Sequence, residues 1–141
     1  MKTNMKKPKW GVRTEWVPVD DLPVTPRDIK EIAIDLETKD PRLKSHGPGW
    51  ATGHGDVVGI AVSYDGFTSY LPFGHEGGGN LDRGIILKWF EKEIAKHPSD
   101  KIFYNAAYDV GEFAKCSVAL GSLTRRHFFR AFLEPFVQLE F

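Results

Sequence analysis

Apolar and polar residues alternate along Glu31–Thr38, EIAIDLET. Ile32, Ile34 and Leu36 fall on one face, and Ala33, Asp35 and Glu37 on the other. A period of two is that of a β-strand with one buried face. Asp56–Tyr64, DVVGIAVSY, reads as a second strand. Asp65 and Gly66 are a hairpin turn pair, so Phe67–Phe73 is a third strand, antiparallel to the second. The period then changes. From Asn80, a residue able to cap a helix, to about Lys96, the residues Ile86, Trp89, Phe90 and Ile94 recur at helical spacing, and Pro98 ends the run. Lys101–Tyr104 predicts a short fourth strand, and Asn105 a cap for a second helix from Ala106. Three strands, a helix, a strand and a helix predict an α/β domain: a mixed sheet with helices packed on it.

The segments between and around these elements are of another kind. Residues 1–28 hold Pro8, Pro18, Pro23 and Pro26 among few apolar neighbours, which predicts an N-terminal arm or linker, with a short edge strand at Thr14–Val19. Lys39–Gly55 contains Pro41, Pro48 and several glycines and predicts a long loop, a feature often functional in a compact domain. Gly74–Gly79 predicts a second, flexible loop. The domain itself is expected over 29–113. From about Ala114 the periodicity is lost. The tail 114–141 gathers Phe128, Phe129, Phe132 and Phe136 among basic residues, which suits a helix with an aromatic face or an altered end.

Composition narrows the picture only a little. Hydrophobic residues make up 41% and charged residues 27% of the 141, as in an ordinary globular domain. Lys+Arg and Asp+Glu both number 19; a protein that coats DNA is usually basic overall, but a nuclease need not be, so net charge does not decide the partner. Cys116 is the single cysteine, which excludes an internal disulfide and a cysteine zinc site and points to a reducing compartment. No apolar run is long enough to span a membrane. Lys2, Lys6, Lys7 and Lys9 precede no apolar stretch, so they are read as a solvated tail rather than a secretory signal.

The carboxylates carry the chemistry. Asp35 and Glu37 leave the same face of one strand, where they repel each other unless a cation sits between them. Mg²⁺ and Mn²⁺ take oxygen ligands of this kind. An exposed strand edge produces the same pair by chance. A second group, NAAYD from Asn105 to Asp109, lies where a strand runs into a helix, and four residues place Asn105 and Asp109 on one side of the first turn. An Asn cap followed by a solvent-facing Asp is the ordinary alternative. Taken together, neighbouring strand ends would bring Asp35, Glu37 and Asp109 to one edge of the sheet.

These residues also carry a resemblance. IAIDLET resembles the first motif of the DEDD-type 3′–5′ exonucleases of the RNase H-like superfamily, and KIFYNAAYD resembles their second. The wider stretch, with LKSHGPGWATGHGDVVGIAVS, LPFGHEGGGNLD and LKWFEKEI, is similar to the proofreading exonuclease domain of phage family-A DNA polymerases from roughly Asp28 to Phe113. The resemblance implies an RNase H-like fold and two divalent ions, Mg²⁺ or Mn²⁺, about 4 Å apart. It makes Asp35 the bridging ligand, Glu37 a ligand that orients the attacking water, and Asp109 the ligand of the second ion. Thr38 would lie beside the 3′-terminal nucleotide, Asn105 near the strand, and Tyr108 at the family's aromatic position, where a packing role is equally open. The implied partners are single-stranded DNA 3′ ends and a polymerase domain. The implied setting is the cytoplasm of a phage-infected bacterium.

The sequence also departs from that family. A third motif, Tyr or His shortly before a fourth Asp, has no match. No Asp follows Asp109, the later acids are Glu112, Glu134 and Glu140, and His127 has no Asp four or five residues on. This predicts a poor exonuclease unless a Glu such as Glu134 substitutes, and it leaves a non-catalytic nucleic-acid-binding or structural fragment as the alternative. His46, His54, His75, His97 and His127 have no zinc spacing and are read as surface or loop residues. Trp50 either packs the long loop onto the domain or stacks on an unpaired base.

Overall fold

The computed structural model describes residues 21–77 and 79–118. The expected edge strand at Thr14–Val19, the N-terminal lysines, and the tail with His127, Glu134 and its Phe cluster lie outside the described residues.

Four strands form one sheet: β1 (Glu31–Lys39), β2 (Asp56–Tyr64), β3 (Phe67–Pro72) and β4 (Asp100–Ile102). They lie in the order β3, β2, β1, β4. β1 pairs antiparallel with β2 and parallel with β4, and β2 pairs antiparallel with β3. The mixed α/β sheet expected from the periodicity is therefore present. The β2–β3 turn is the two residues Asp65 and Gly66, and Gly66 adopts φ +85°, which a residue without Cβ takes without strain.

The alternation in β1 builds the core. Ile32, Ile34 and Leu36 are buried with Ile60, Val62 and Leu71, and against them lie Ile86, Trp89, Phe90 and Ile94. The helical stretch differs from expectation at both ends. Its α-helix runs Arg83–Trp89 and continues as a π-helical turn, Phe90–Ala95, in which Lys96 N–H donates to the Glu91 carbonyl. Asp82 rather than Asn80 caps it, with Oδ1 accepting from Ile85 N–H at 2.9 Å. The Asn80 amide is already committed: Oδ1 accepts from His75 N–H at 2.8 Å and Nδ2 donates to His75 carbonyl at 2.7 Å.

The long loop is also more structured than expected. It holds two one-turn helices, α1 (Leu43–His46) and α2 (Gly49–Thr52), so the helix above is α3 and the last described helix is α4 (Ala106–Lys115). On α4, Phe113 stacks on Phe90, with ring centroids 4.7 Å apart, and meets Phe103 edge-on.

β4 ends at Ile102, two residues earlier than expected. Lys101 within it is buried, and its ammonium donates to the His97 and Ser99 carbonyls. His97, expected on the surface, is buried too. Its Nε2 donates to the Pro26 carbonyl at 3.0 Å and its Nδ1 accepts from Ser99 N–H at 3.1 Å. The end of the proline-rich segment is thereby docked. Trp89 Nε1 donates to the Pro23 carbonyl at 2.7 Å, Thr25 N–H donates to Glu93, and Leu22 packs on the core.

Candidate functional site

The site begins where β4 stops. β4 runs beside Glu31, Ile32 and Ala33 of β1 and then gives way to α4, while β1 continues through Asp35 and Glu37. Asp109 therefore stands in the first turn of α4, beside the free continuation of β1. Asn105 occupies the cap position, and its carbonyl accepts from Tyr108 N–H at 3.0 Å and Asp109 N–H at 3.1 Å. Its side chain makes no capping bond, contrary to expectation, and the residue is exposed.

Asp109 is 3% exposed, and its Oδ2 has no hydrogen-bond partner. Its carboxyl is pushed up to about 7, chiefly by burial, then by the charge of Asp35, with a smaller push from Glu112 and a backbone hydrogen bond at Asn105 acting against them. Asp35 is half-buried and also raised by burial, against a hydrogen bond from the Leu36 backbone. Glu37 is raised by burial and then by Asp35. Asp35 is thus coupled to both other carboxylates. Among the described residues none of the three forms an ion pair. The charge of Asp35 is felt at both Glu37 and Asp109. Among the described residues no group of three or more Asp, Glu, His or Cys side chains stands ready to hold an ion.

The sheet leaves room on this face. Asp35 lies opposite Ala61 and Glu37 opposite Gly59, so the neighbouring strand offers almost no side chain there. The Tyr70 phenol fills the gap: a Cβ on Gly59 would come within 2.6 Å of three of its atoms. Glu37 and Asp35 add to burial in raising the Tyr70 hydroxyl, which hydrogen-bonds His75 Nε2. Burial lowers His75, favouring its neutral form.

A β-bulge falls between Glu37 and Thr38, a device that re-aims side chains. Beyond it Thr38 Oγ1 meets Tyr108 Oη at 2.9 Å, and Tyr108 Oη also donates to Asp40 Oδ2 at 3.3 Å. Asp40 Oδ2 accepts from Gly49 N–H at 2.7 Å. Thr38 and Tyr108 are therefore partners of each other.

Two acids join the neighbourhood that sequence reasoning passed over. Asp40 has a buried Oδ1 without a partner. Glu112 is 0% exposed and neither oxygen makes a hydrogen bond of normal geometry. Burial raises its carboxyl, Lys115 acts against that, and Asp40 adds to it. The signal for Glu112 was its i+3 spacing from Asp109, which puts both on one helix face.

No family model matches the chain. It is similar to one region of a phage DNA polymerase. The DNA-directed DNA polymerase of Pseudomonas phage M6 is 36% identical to it over 103 residues, which is 70% of this chain and 15% of that relative. The chain thus spans about 15% of the length of the polymerase it matches. None of the described helices is long and apolar enough to cross a membrane.

For a polymerase-related region this carboxylate set has a definite chemistry. Buried carboxylates that repel one another relieve the repulsion either by keeping a proton or by binding a hard cation. The orphaned Asp109 Oδ2, the coupling through Asp35 and the all-oxygen donor set suit Mg²⁺ or Mn²⁺. Opposite Asp35 stands only Ala61, while the Tyr70 phenol occupies the gap over Gly59 opposite Glu37.

Proposed function

We propose that this region carries the 3′–5′ exonuclease chemistry of a proofreading domain on an RNase H-like fold, hydrolysing DNA 3′ ends to nucleoside monophosphates. The single observation that carries the reading is the buried Asp109, its Oδ2 without a partner, in the first turn of α4 beside the continuation of β1 that bears Asp35 and Glu37. The sheet order, with β1 flanked by an antiparallel and a parallel neighbour, and the similarity to a phage polymerase support it.

In this reading Asp35, Glu37 and Asp109 hold two divalent ions. When bound, these supply charge stabilisation to the attacking and leaving oxygens of an in-line displacement. Glu37 orients the attacking water. Thr38 and Tyr108, held by each other and by Asp40, fix the spacing of β1 from α4. The exposed Asn105 faces the strand being shortened.

Incubation of the purified chain with 5′-labelled single-stranded DNA and Mn²⁺ tests this. The expected result is a ladder shortening from the 3′ end with release of mononucleotides, lost with EDTA and in Asp35→Ala. The absence of any three-ligand cluster among the described residues favours a second reading, non-catalytic nucleic-acid binding. An intact label ladder alongside measurable DNA binding decides for that one.

A further inference from the structure

We propose that the segment Pro41–Gly55 is a guide surface that holds single-stranded DNA by base stacking and phosphate attraction and leads its end to the carboxylates. The inference rests on the nuclease reading for its destination, and on separate observations for its chemistry.

The first observation is charge. No acidic residue occurs from Pro41 to Gly55, whereas Arg42, Lys44, His46 and His54 all do. All four are exposed. Of the two acids that flank the segment, Asp40 is turned inward onto Gly49 N–H and the Tyr108 hydroxyl, and Asp56 is exposed at the start of β2. In a chain whose charges balance as a whole, this concentrates exposed basic side chains in a stretch without acids, suited to a polyanion.

The second is apolar exposure. Among the described residues four large hydrophobic side chains are exposed: Val24, Leu43, Trp50 and Tyr104. Leu43 and Trp50 both belong to this segment, and Tyr104 stands just ahead of Asn105 at the other side of the site. Trp50 rests one side of its indole on Gly111 of α4, yet 41% of the residue stays open to solvent. An indole half-seated and half-open, in a segment that also carries exposed basic residues, is the kind of platform that binds unpaired bases.

The third is rigidity. Two glycines are shaped for this docking. A Cβ on Gly111 would come within 2.6 Å of three Trp50 ring atoms, and one on Gly49 would meet the His54 backbone. Lys115 Nζ donates to the Gly55 carbonyl, and Arg42 and His54 are joined at 3.1 Å. The surface is therefore held in place before any strand arrives, which lowers the ordering cost of binding. It is fixed to both carboxylate-bearing elements: Asp40 follows Glu37 by three positions on one side, and Gly111 follows Asp109 by two on the other.

The test is fluorescence anisotropy of a labelled oligothymidylate with the purified chain in EDTA, where hydrolysis cannot intervene. Trp50→Ala is expected to weaken binding about tenfold, as loss of one stacked base does. Trp50→Phe is expected to retain most of the affinity. A strand with abasic sites is expected to bind wild type and Trp50→Ala alike. The exposed double change Arg42→Ala with Lys44→Ala is expected to reduce the slope of log affinity against log salt by about 1.4, the value for two phosphate contacts on a single strand. Should Trp50→Ala fail to fold, this double variant and the abasic strand still decide. Unchanged affinity in Trp50→Ala together with an unchanged salt slope in the double variant overturns the guide. Absence of strand hydrolysis by wild type in Mn²⁺, with the Trp50 effect intact in EDTA, counts against the nuclease reading and not against the guide.

Discussion

The hydroxyls of Thr38 and Tyr108 stand 2.9 Å apart and so join the end of β1 to the first turn of α4 across 70 residues of sequence. Each is the immediate neighbour of a candidate ligand, Glu37 in one case and Asp109 in the other. The contact sets the spacing between the two carboxylate-bearing elements, and the Asp40 carboxylate shares it through Tyr108.

Tyr108→Phe removes that link without removing the ring. Stability is expected to fall by about 1 kcal/mol, the usual net worth of such a bond with some added cost from an Asp40 oxygen losing a donor. Urea unfolding monitored by circular dichroism measures it. A loss of hydrolysis rate larger than this stability change accounts for would mark Tyr108 as a positioning residue. A Tyr108→Phe protein as stable as wild type would show that the hydroxyls contribute nothing.

Asp109 predicts a pH dependence whose sign can be worked out. Its carboxyl is raised from 3.8 to about 7 in the folded chain, so ionising it costs the folded state more than the unfolded one. The cost is absent below the unfolded value, grows as pH rises between the two values, and is complete above the folded one. Without divalent ions, stability is therefore expected to decline from mildly acidic to neutral pH. Asp109→Asn is expected to remove most of this decline and to be more stable than wild type at pH about 8, by about 1–3 kcal/mol. Thermal melts in EDTA across this range test it. A wild-type profile flat from acid to neutral, or an Asn variant that melts lower throughout, contradicts it.

Gly111→Ala places a methyl group into the Trp50 indole. The helix itself tolerates Ala better than Gly, so any loss arises from the clash. The segment that Trp50 anchors is expected to lift, at about 1–3 kcal/mol. Faster tryptic cleavage after Arg42 and Lys44 is the readout. Cleavage at the wild-type rate would mean that Trp50 is not seated on α4.

Phe113 predicts the largest stability change. It is buried between Phe90, 4.7 Å away by ring centroids, and Phe103. Phe113→Ala is expected to cost about 3–5 kcal/mol, chiefly as a cavity between α4 and the π-helical turn. Chemical denaturation measures this, and a cost below about 1 kcal/mol would mean that the gap closes by collapse.

The sequence made the sheet legible because the β1 alternation and the Asp65-Gly66 turn are local signals. Ile32, Ile34 and Leu36 needed no distant partner to be recognised as core. The errors have non-local causes. Asn80 looks like a cap, but its amide is taken by the His75 backbone. His97 looks like a surface residue, but its ring reaches the Pro26 carbonyl, which only the folded chain brings to it. The prolines and glycines of 39–55 look like plain loop residues, and the two short helices there depend on Asp40 and Trp50 meeting α4 and on Lys115 of α4 reaching the Gly55 carbonyl. At the site, Asp35, Glu37 and Asp109 were visible as motifs. The buried Glu112 and the inward Asp40 were not, because acidic residues on a strand end or a helix are ordinarily solvated.

The most direct measurement is Mn²⁺ binding followed by electron paramagnetic resonance, on wild type and on Asp35→Ala at pH about 8, where the carboxylates are ionised. The charge of Asp35 is felt at both Glu37 and Asp109, so its loss is expected to abolish Mn²⁺ binding at both positions, while Glu91→Gln, in an ion pair with Lys96 on the π-helical turn, leaves it intact. Unchanged Mn²⁺ affinity in Asp35→Ala would contradict the account, because the three carboxylates would then not form one cation-binding site.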